Sequence, residues 1–296
     1  MRLESLTGTV FSQRIVVVST EPAVKLFVAQ TPGPAERTLL VIHGGPDWDH
    51  TYLREPLARL AGRRRVILTD LRGCGRSTRG LADDAYTPAA AAGDLTVLLD
   101  ALDTDDTGPV DVLGFSYGGL IAQRLALAVP ERVRRLVVAS SSVLPVPSGA
   151  YGSWHERDRR LAAEAAVWSD SSLSGPELTR AAAFAAAEAN VWRPEALPDY
   201  LDRLAAVRFT AEWIRPWRAG ALPPARPEDA ARRLAALGLP LLLLHGRQDM
   251  IFPALLAEEA EKLIPSARAA VLDEAGHMAH IDQPTAWLDA LTDFLS

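Results

Sequence analysis

The sequence predicts an α/β fold: a mostly parallel central sheet with helices on both faces and a helical lid inserted late in the chain. Three observations carry this. Short, nearly unbroken apolar runs recur with helical stretches between them. One of these runs, at 110–116, passes directly into a glycine-flanked serine and then into a helical run. The alternation then stops between about 144 and 232, where alanine-rich helical sequence takes over.

The runs are VKLFVAQ (24–30), TLLVIHG (38–44), RRVILTD (64–70), VDVLGFS (110–116), RLVVASS (135–141), LPLLLLHG (239–246) and ARAAVLD (267–273). Strands that are apolar along their whole length, rather than at alternate positions, belong to a parallel sheet covered on both faces. IVVVS (15–19) comes immediately before the first of them and reads as its hairpin partner at the sheet edge. Residues 1–143 and 233–296 therefore form the predicted core, and 144–232 a helical cap. The cap carries Trp154, Trp168, Trp192, Trp213 and Trp217. Ligands of open α/β sheets bind at the C-terminal edge of the strands, so an insertion there roofs the site. Packing within the lid is the plainer use for most of these tryptophans.

At 296 residues and 48% hydrophobic, the chain has ample material for one large core. Its 31 basic and 37 acidic residues give a net charge of -6 without long like-charge blocks, which argues against nucleic acid as a partner. Cys74 is the single cysteine, so neither an intramolecular disulfide nor a paired-thiol zinc site is available. The first residues, MRLESLTGTVFSQ, lack a basic segment followed by a long apolar one, and no run reaches the roughly 18 apolar residues of a membrane helix. These features predict a cytoplasmic protein without a membrane partner, and no cofactor or metal is implied.

Gly114-Phe115-Ser116-Tyr117-Gly118 fits G-x-S-x-G, with an apolar strand before it and the helical run LIAQRLALAV after it. That context is the nucleophile elbow of the α/β-hydrolase fold, where a sharp strand-to-helix turn presents the serine at the sheet edge. A serine hydroxyl attacks effectively only when a base takes its proton, and the fold orders the partners serine, acid, histidine. Asp249 stands just past the strand LPLLLLHG, and His277 in the loop after the last strand. Ser116 is thus the predicted nucleophile, His277 the base and Asp249 the orienting carboxylate. His280 is an alternative base, but His277 follows Gly276, a small residue suited to a loop turning into the site. Asp273 and Asp282 are nearby acids without the strand-end position. His43 and His245 close strands and read as structural, and His50 and His155 lack a supporting pattern.

Acyl transfer also needs donors for the oxyanion, and backbone amides supply them without reorganising. Tyr117, after the nucleophile, and Gly45, in His43-Gly44-Gly45-Pro46, are the candidates. Taken together, HGGP (43–46), D-x-R-G-C-G-R-S (70–77), the elbow (114–119), G-x-x-D (246–249) and Gly276-His277 make the chain resemble the proline iminopeptidase family of α/β-hydrolases. The resemblance implies release of an N-terminal residue from a small amide or short peptide, and its wider branches include enzymes that trim aminoacyl caps from biosynthetic intermediates such as polyketides. It also implies lid glutamates that hold the substrate's amine, for which Glu188 and Glu212 are candidates. The chain departs from the family at Asp47, where glycine is usual, and at Tyr117, where tryptophan is usual, so a proline preference does not carry over. Cys74 in the RGCGRS turn lacks an elbow and reads as structural.

The same triad serves a carboxylesterase, lactonase or thioesterase, which would be indifferent to a free amine. Epoxide and haloalkane hydrolases place an aspartate where Ser116 stands. A non-catalytic binding protein would have no use for nucleophile, base, acid and oxyanion turn together, and neither RGCGRS nor GFSYGG supplies a dinucleotide-binding G-x-G-x-x-G.

Overall fold

The computed structural model describes residues 10–102 and 108–296; most of the N-terminal segment read above for a targeting signal lies outside them. Eight strands form one sheet in the order β1-β2-β4-β3-β5-β6-β7-β8. They are β1 (Ser12–Thr20), β2 (Ala23–Gln30), β3 (Thr38–Ile42), β4 (Arg65–Thr69), β5 (Val110–Phe115), β6 (Val133–Ala139), β7 (Leu241–Gly246) and β8 (Ala267–Leu272). β1 pairs antiparallel with β2, and β2 antiparallel with β4. From β4 onward all pairings are parallel. Every apolar run of the sequence is a strand, and IVVVS lies in the edge strand β1.

The sheet explains the unbroken apolar runs. Leu40 and Ile42 of β3, Val112 of β5, Val138 of β6 and Leu243 of β7 pack on one face with Ile121 and Leu125 of the helix Tyr117–Ala128. Their chain neighbours Leu39, Val41, Leu113, Val137 and Leu242 pack on the other with Trp287 and Leu291 of the helix Pro284–Leu295. Successive side chains of a strand point to opposite faces, so both must be apolar. The exception is Asp111 on β5, fully buried, which receives Arg64 and Arg134 at 2.8 Å each. Such a buried carboxylate persists because it is paired.

Between β6 and β7 the described residues form helices and no strand, including His155–Ser169, Gly175–Ala185, Leu197–Ala206 and Ile214–Arg218. The sequence boundary at 232/233 falls inside the helix Ala230–Leu237, whose Leu234 packs into the same apolar cluster as the sheet. Among the described residues no helix is long and apolar enough to cross a membrane.

Candidate active site

Ser116 sits at the turn from β5 into the helix Tyr117–Ala128 with φ 53° and ψ −120°. This region is sparsely populated by residues with a Cβ, at a cost of about 1–3 kcal/mol that the surrounding packing must hold. The flanking glycines are needed for close approach. A Cβ on Gly118 would stand 2.2 Å from the Ile42 carbonyl oxygen, and one on Gly114 2.3 Å from that of Gly118. Strand and helix can therefore close on each other only without side chains there.

The structure brings the three predicted catalytic residues into line. His277 Nε2 lies 3.0 Å from Ser116 Oγ, and His277 Nδ1 lies 2.9 Å from Asp249 Oδ2. Since a carboxylate only accepts, Nδ1 carries hydrogen and Nε2 is free to accept from the serine hydroxyl. Asp249 is buried. Its Oδ1 accepts from Ile251 N at 2.7 Å and Phe252 N at 2.9 Å, while His245 Nε2 lies 3.1 Å from Oδ2. Burial alone would push the carboxyl up, but His277 and His245 more than reverse this and hold it well below the usual carboxylate range.

The rival residues have other duties. Asp282 accepts from Gly276 N at 2.8 Å, Trp192 N at 2.9 Å and Arg193 N at 3.0 Å, fastening the histidine loop to the lid. Asp273 pairs with Arg247 near the surface. His280 is buried among Tyr52, Phe115 and Trp287, away from the serine's hydrogen bond. His43 Nε2 accepts from Leu71 N at 3.0 Å. His50, for which the sequence offered no pattern, places Nδ1 2.6 Å from Asp70, joining the segment after the HGGP turn to the end of β4. Cys74 is fully buried, and burial pushes its thiol well up, away from the reactive thiolate.

A cavity of about 440 Å³ opens over Ser116. Gly45 and Tyr117, the two candidate oxyanion donors, line it together with His277. Tyr117 begins its helix, so its N–H belongs to the first turn, whose amides have no intrahelical acceptor. The walls are aromatic: Trp48, Tyr52 and Phe115 from the core, Trp168, Trp213 and Trp217 from the lid.

Two sequence expectations are corrected here. Neither Glu188 nor Glu212 lines this cavity. Glu188 is exposed on the short helix Ala187–Asn190. Glu212 is committed elsewhere, accepting from the Tyr86 hydroxyl at 2.6 Å and Gly80 N at 3.0 Å, with Arg215 at 3.2 Å. The lid glutamate that does line the cavity is Glu164, whose Oε1 accepts from Trp168 Nε1 at 3.0 Å. The sequence signal was the i, i+4 spacing of Glu164 and Trp168, which puts both on one face of the helix His155–Ser169.

Asp47 also gains a reason. It adopts φ 69°, in the left-handed region that favours glycine. Its carboxylate accepts from Trp213 N at 3.0 Å and Ile214 N at 2.9 Å. Among the described residues no group of three or more potential metal ligands is assembled.

Comparison with known proteins bears on the family. Residues 37–284 match the family described as alpha/beta hydrolase fold. The chain is 31% identical to 2-hydroxymuconate semialdehyde hydrolase of Pseudomonas sp. (strain CF600), covering 87% of this chain and 86% of that protein. It is 28% identical to a proline iminopeptidase of Levilactobacillus brevis, covering 87% and 88%. In structure it is similar to a proline iminopeptidase-related protein of Thermus thermophilus, with TM-score 0.70, 24% identity and coverage of 96% and 97%. With its parallel sheet, its serine turn and a family match spanning both halves of the core, the chain belongs to the α/β-hydrolase fold family.

Proposed function

We propose that this protein is a serine hydrolase that cleaves the amide bond after an N-terminal aminoacyl residue. Ser116 Oγ attacks the acyl carbonyl while His277 Nε2 takes its proton. The Gly45 and Tyr117 amides donate to the oxyanion, and His277 returns the proton to the leaving amine as the C–N bond breaks. Water, deprotonated by His277, then adds to the acyl-enzyme and releases the amino acid, restoring the Ser116 hydroxyl. Asp249 orients His277 and stabilises its imidazolium.

The observation that carries the amide reading is Glu164. With Asp47 it is one of two carboxylates in a mainly apolar cavity, rich in aromatic side chains, whose described lining includes no lysine or arginine. An ammonium group fits such a lining, since aromatic faces and a carboxylate both attract cations. An acyl group carrying its own carboxylate would meet Glu164 and Asp47 with no countercharge. The aromatic walls suit a lipophilic leaving amine, which extends the reading to aminoacyl caps on biosynthetic intermediates. The lone, buried Cys74 suits a reducing compartment, and we assign the enzyme to the cytoplasm.

The second reading is ester, lactone or thioester hydrolysis by the same triad, favoured by the predominantly apolar cavity. Aminoacyl p-nitroanilides assayed with and without N-acetylation separate the two. Turnover lost on acetylation supports the amide reading. Turnover of p-nitrophenyl esters alone, unchanged by blocking the amine, replaces it with the ester reading.

A further inference from the structure

His245 stands at the end of β7, four residues before Asp249, and is fully buried. Its Nε2 lies 2.8 Å from the Phe252 carbonyl oxygen and 3.1 Å from Asp249 Oδ2. Both neighbours are acceptors, so the ring hydrogen belongs on Nε2, where it is shared between them. Nδ1 is buried without a hydrogen-bond partner among the described residues, and a hydrogen placed there would be stranded. The oxygen that Nε2 approaches is the one that accepts His277 Nδ1 at 2.9 Å. Two imidazoles thus meet on a single carboxylate oxygen, and two backbone amides occupy the other.

We propose that His245 is a positioning residue of the triad, its Nε2–H fixing the Asp249 carboxylate in the plane that His277 needs and drawing off part of its charge. The proposal rests on the triad reading given above but not on amide rather than ester specificity. Without His245, Oδ2 is held by His277 alone and the carboxylate can turn with that ring, so the near-attack alignment of His277 with Ser116 loosens. Its charge is also less shared, so it favours the imidazolium more strongly. The free base then appears only at higher pH, which moves the acidic limb of the rate profile upward. The other groups facing this pair are Tyr151 of the lid, beside Asp249, and His280, beside His277. Arg157 stacks on the Tyr151 ring, 4.0 Å from its centroid, and its Nε donates to Met250 O at 2.8 Å.

The test uses the full chain carrying His245→Phe or His245→Gln. Turnover of whichever p-nitroanilide or p-nitrophenyl ester the wild type accepts is measured across pH. Assembled sites are counted by titration with a fluorophosphonate, so misfolded protein does not enter kcat. Expected for His245→Phe is a fall in kcat on the order of tenfold, the value of one hydrogen bond to a charged group, with KM within about twofold and the acidic limb displaced upward. Glutamine, which keeps an N–H donor, should recover most of kcat and return the limb. A His245→Phe enzyme with wild-type kcat and limb overturns the proposal, as do equal losses in both variants with no limb shift. Should His245→Phe yield no titratable sites, ¹⁵N NMR of histidine-labelled wild type decides. Hydrogen on Nε2 of His245 supports the proposal and hydrogen on Nδ1 overturns it. Activity that survives Ser116→Ala removes the triad reading itself, whereas loss in Ser116→Ala beside an unaffected His245→Phe removes only this inference.

Discussion

Asp47 accepts the Trp213 backbone N–H at 3.0 Å across 166 residues of sequence. The turn that contributes Gly45 and the lid segment that walls the cavity are thereby held by one buried carboxylate. An Asp47→Asn substitution keeps one accepting oxygen but turns an NH2 group toward the amide of Trp213 or of Ile214, which also donates, leaving a buried donor unpaired at about 1–3 kcal/mol. We expect urea unfolding to show a loss in that range, and steady-state kinetics to show a raised KM as Trp213 and Ile214 lose their anchor. Wild-type stability and KM would remove this link.

The elbow glycines give a paired stability test. Gly118→Ala would drive a Cβ to 2.2 Å from the Ile42 carbonyl oxygen and should cost at least the ~1–3 kcal/mol of an overpacked core. Gly93 lies in the helix Pro88–Ala101 with nothing within 4 Å of an added Cβ, so Gly93→Ala should stabilise by roughly 0.5–1 kcal/mol. Thermal melts of the two variants should move in opposite directions.

Asp249 makes a pH prediction. Its carboxyl titrates below the unfolded value of ~3.9, so it stabilises the fold fully above that value. The contribution begins to fade as pH falls through the unfolded value and is gone once it has fallen through the depressed folded one. The stability difference between wild type and Asp249→Asn, from urea midpoints between about pH 5 and 3, should shrink as the pH falls, the window in which the unfolded-state carboxyl takes up its proton before the folded one. A difference that grows on acidification contradicts the assigned sign.

Glu164→Gln tests the amine contact. Removing the charge should raise KM for free-amine anilides about tenfold, the worth of ~1.4 kcal/mol, and leave acetylated or ester substrates unaffected. Glu188→Gln should change neither, because Glu188 lies outside the cavity. Equal effects on acetylated and free-amine substrates would exclude an amine contact.

The parts legible in the sequence are those fixed by local pattern. A strand buried on both faces must be apolar throughout, which is why the runs of β3, β5 and β7 could be read as strands, while VKLFVAQ and ARAAVLD nearer the sheet edges are only partly covered and were legible from their apolar bias alone. The elbow was legible because Gly114 and Gly118 are dictated by strand and helix meeting at backbone distance. The lid was not legible at the level of single residues. The helix His155–Ser169 buries none of its residues, so no apolar stripe marks which face meets the core, and Glu164 could not be told from Glu188. Asp47 looked like a departure without a purpose because its partners, Thr210, Trp213 and Ile214, lie in a distant part of the chain. His245 read as a strand-closing residue because its contact with Asp249 depends on how the loop after β7 folds back.

The central claim is that Ser116 is the nucleophile of a Ser116–His277–Asp249 triad. The most direct test is peptide mapping by mass spectrometry after reaction with a fluorophosphonate, in wild type and in His277→Ala. The account predicts one stoichiometric adduct, on the peptide bearing Ser116, that forms slowly or not at all without His277. An adduct on another residue, or labelling of Ser116 at an unchanged rate in His277→Ala, would contradict it.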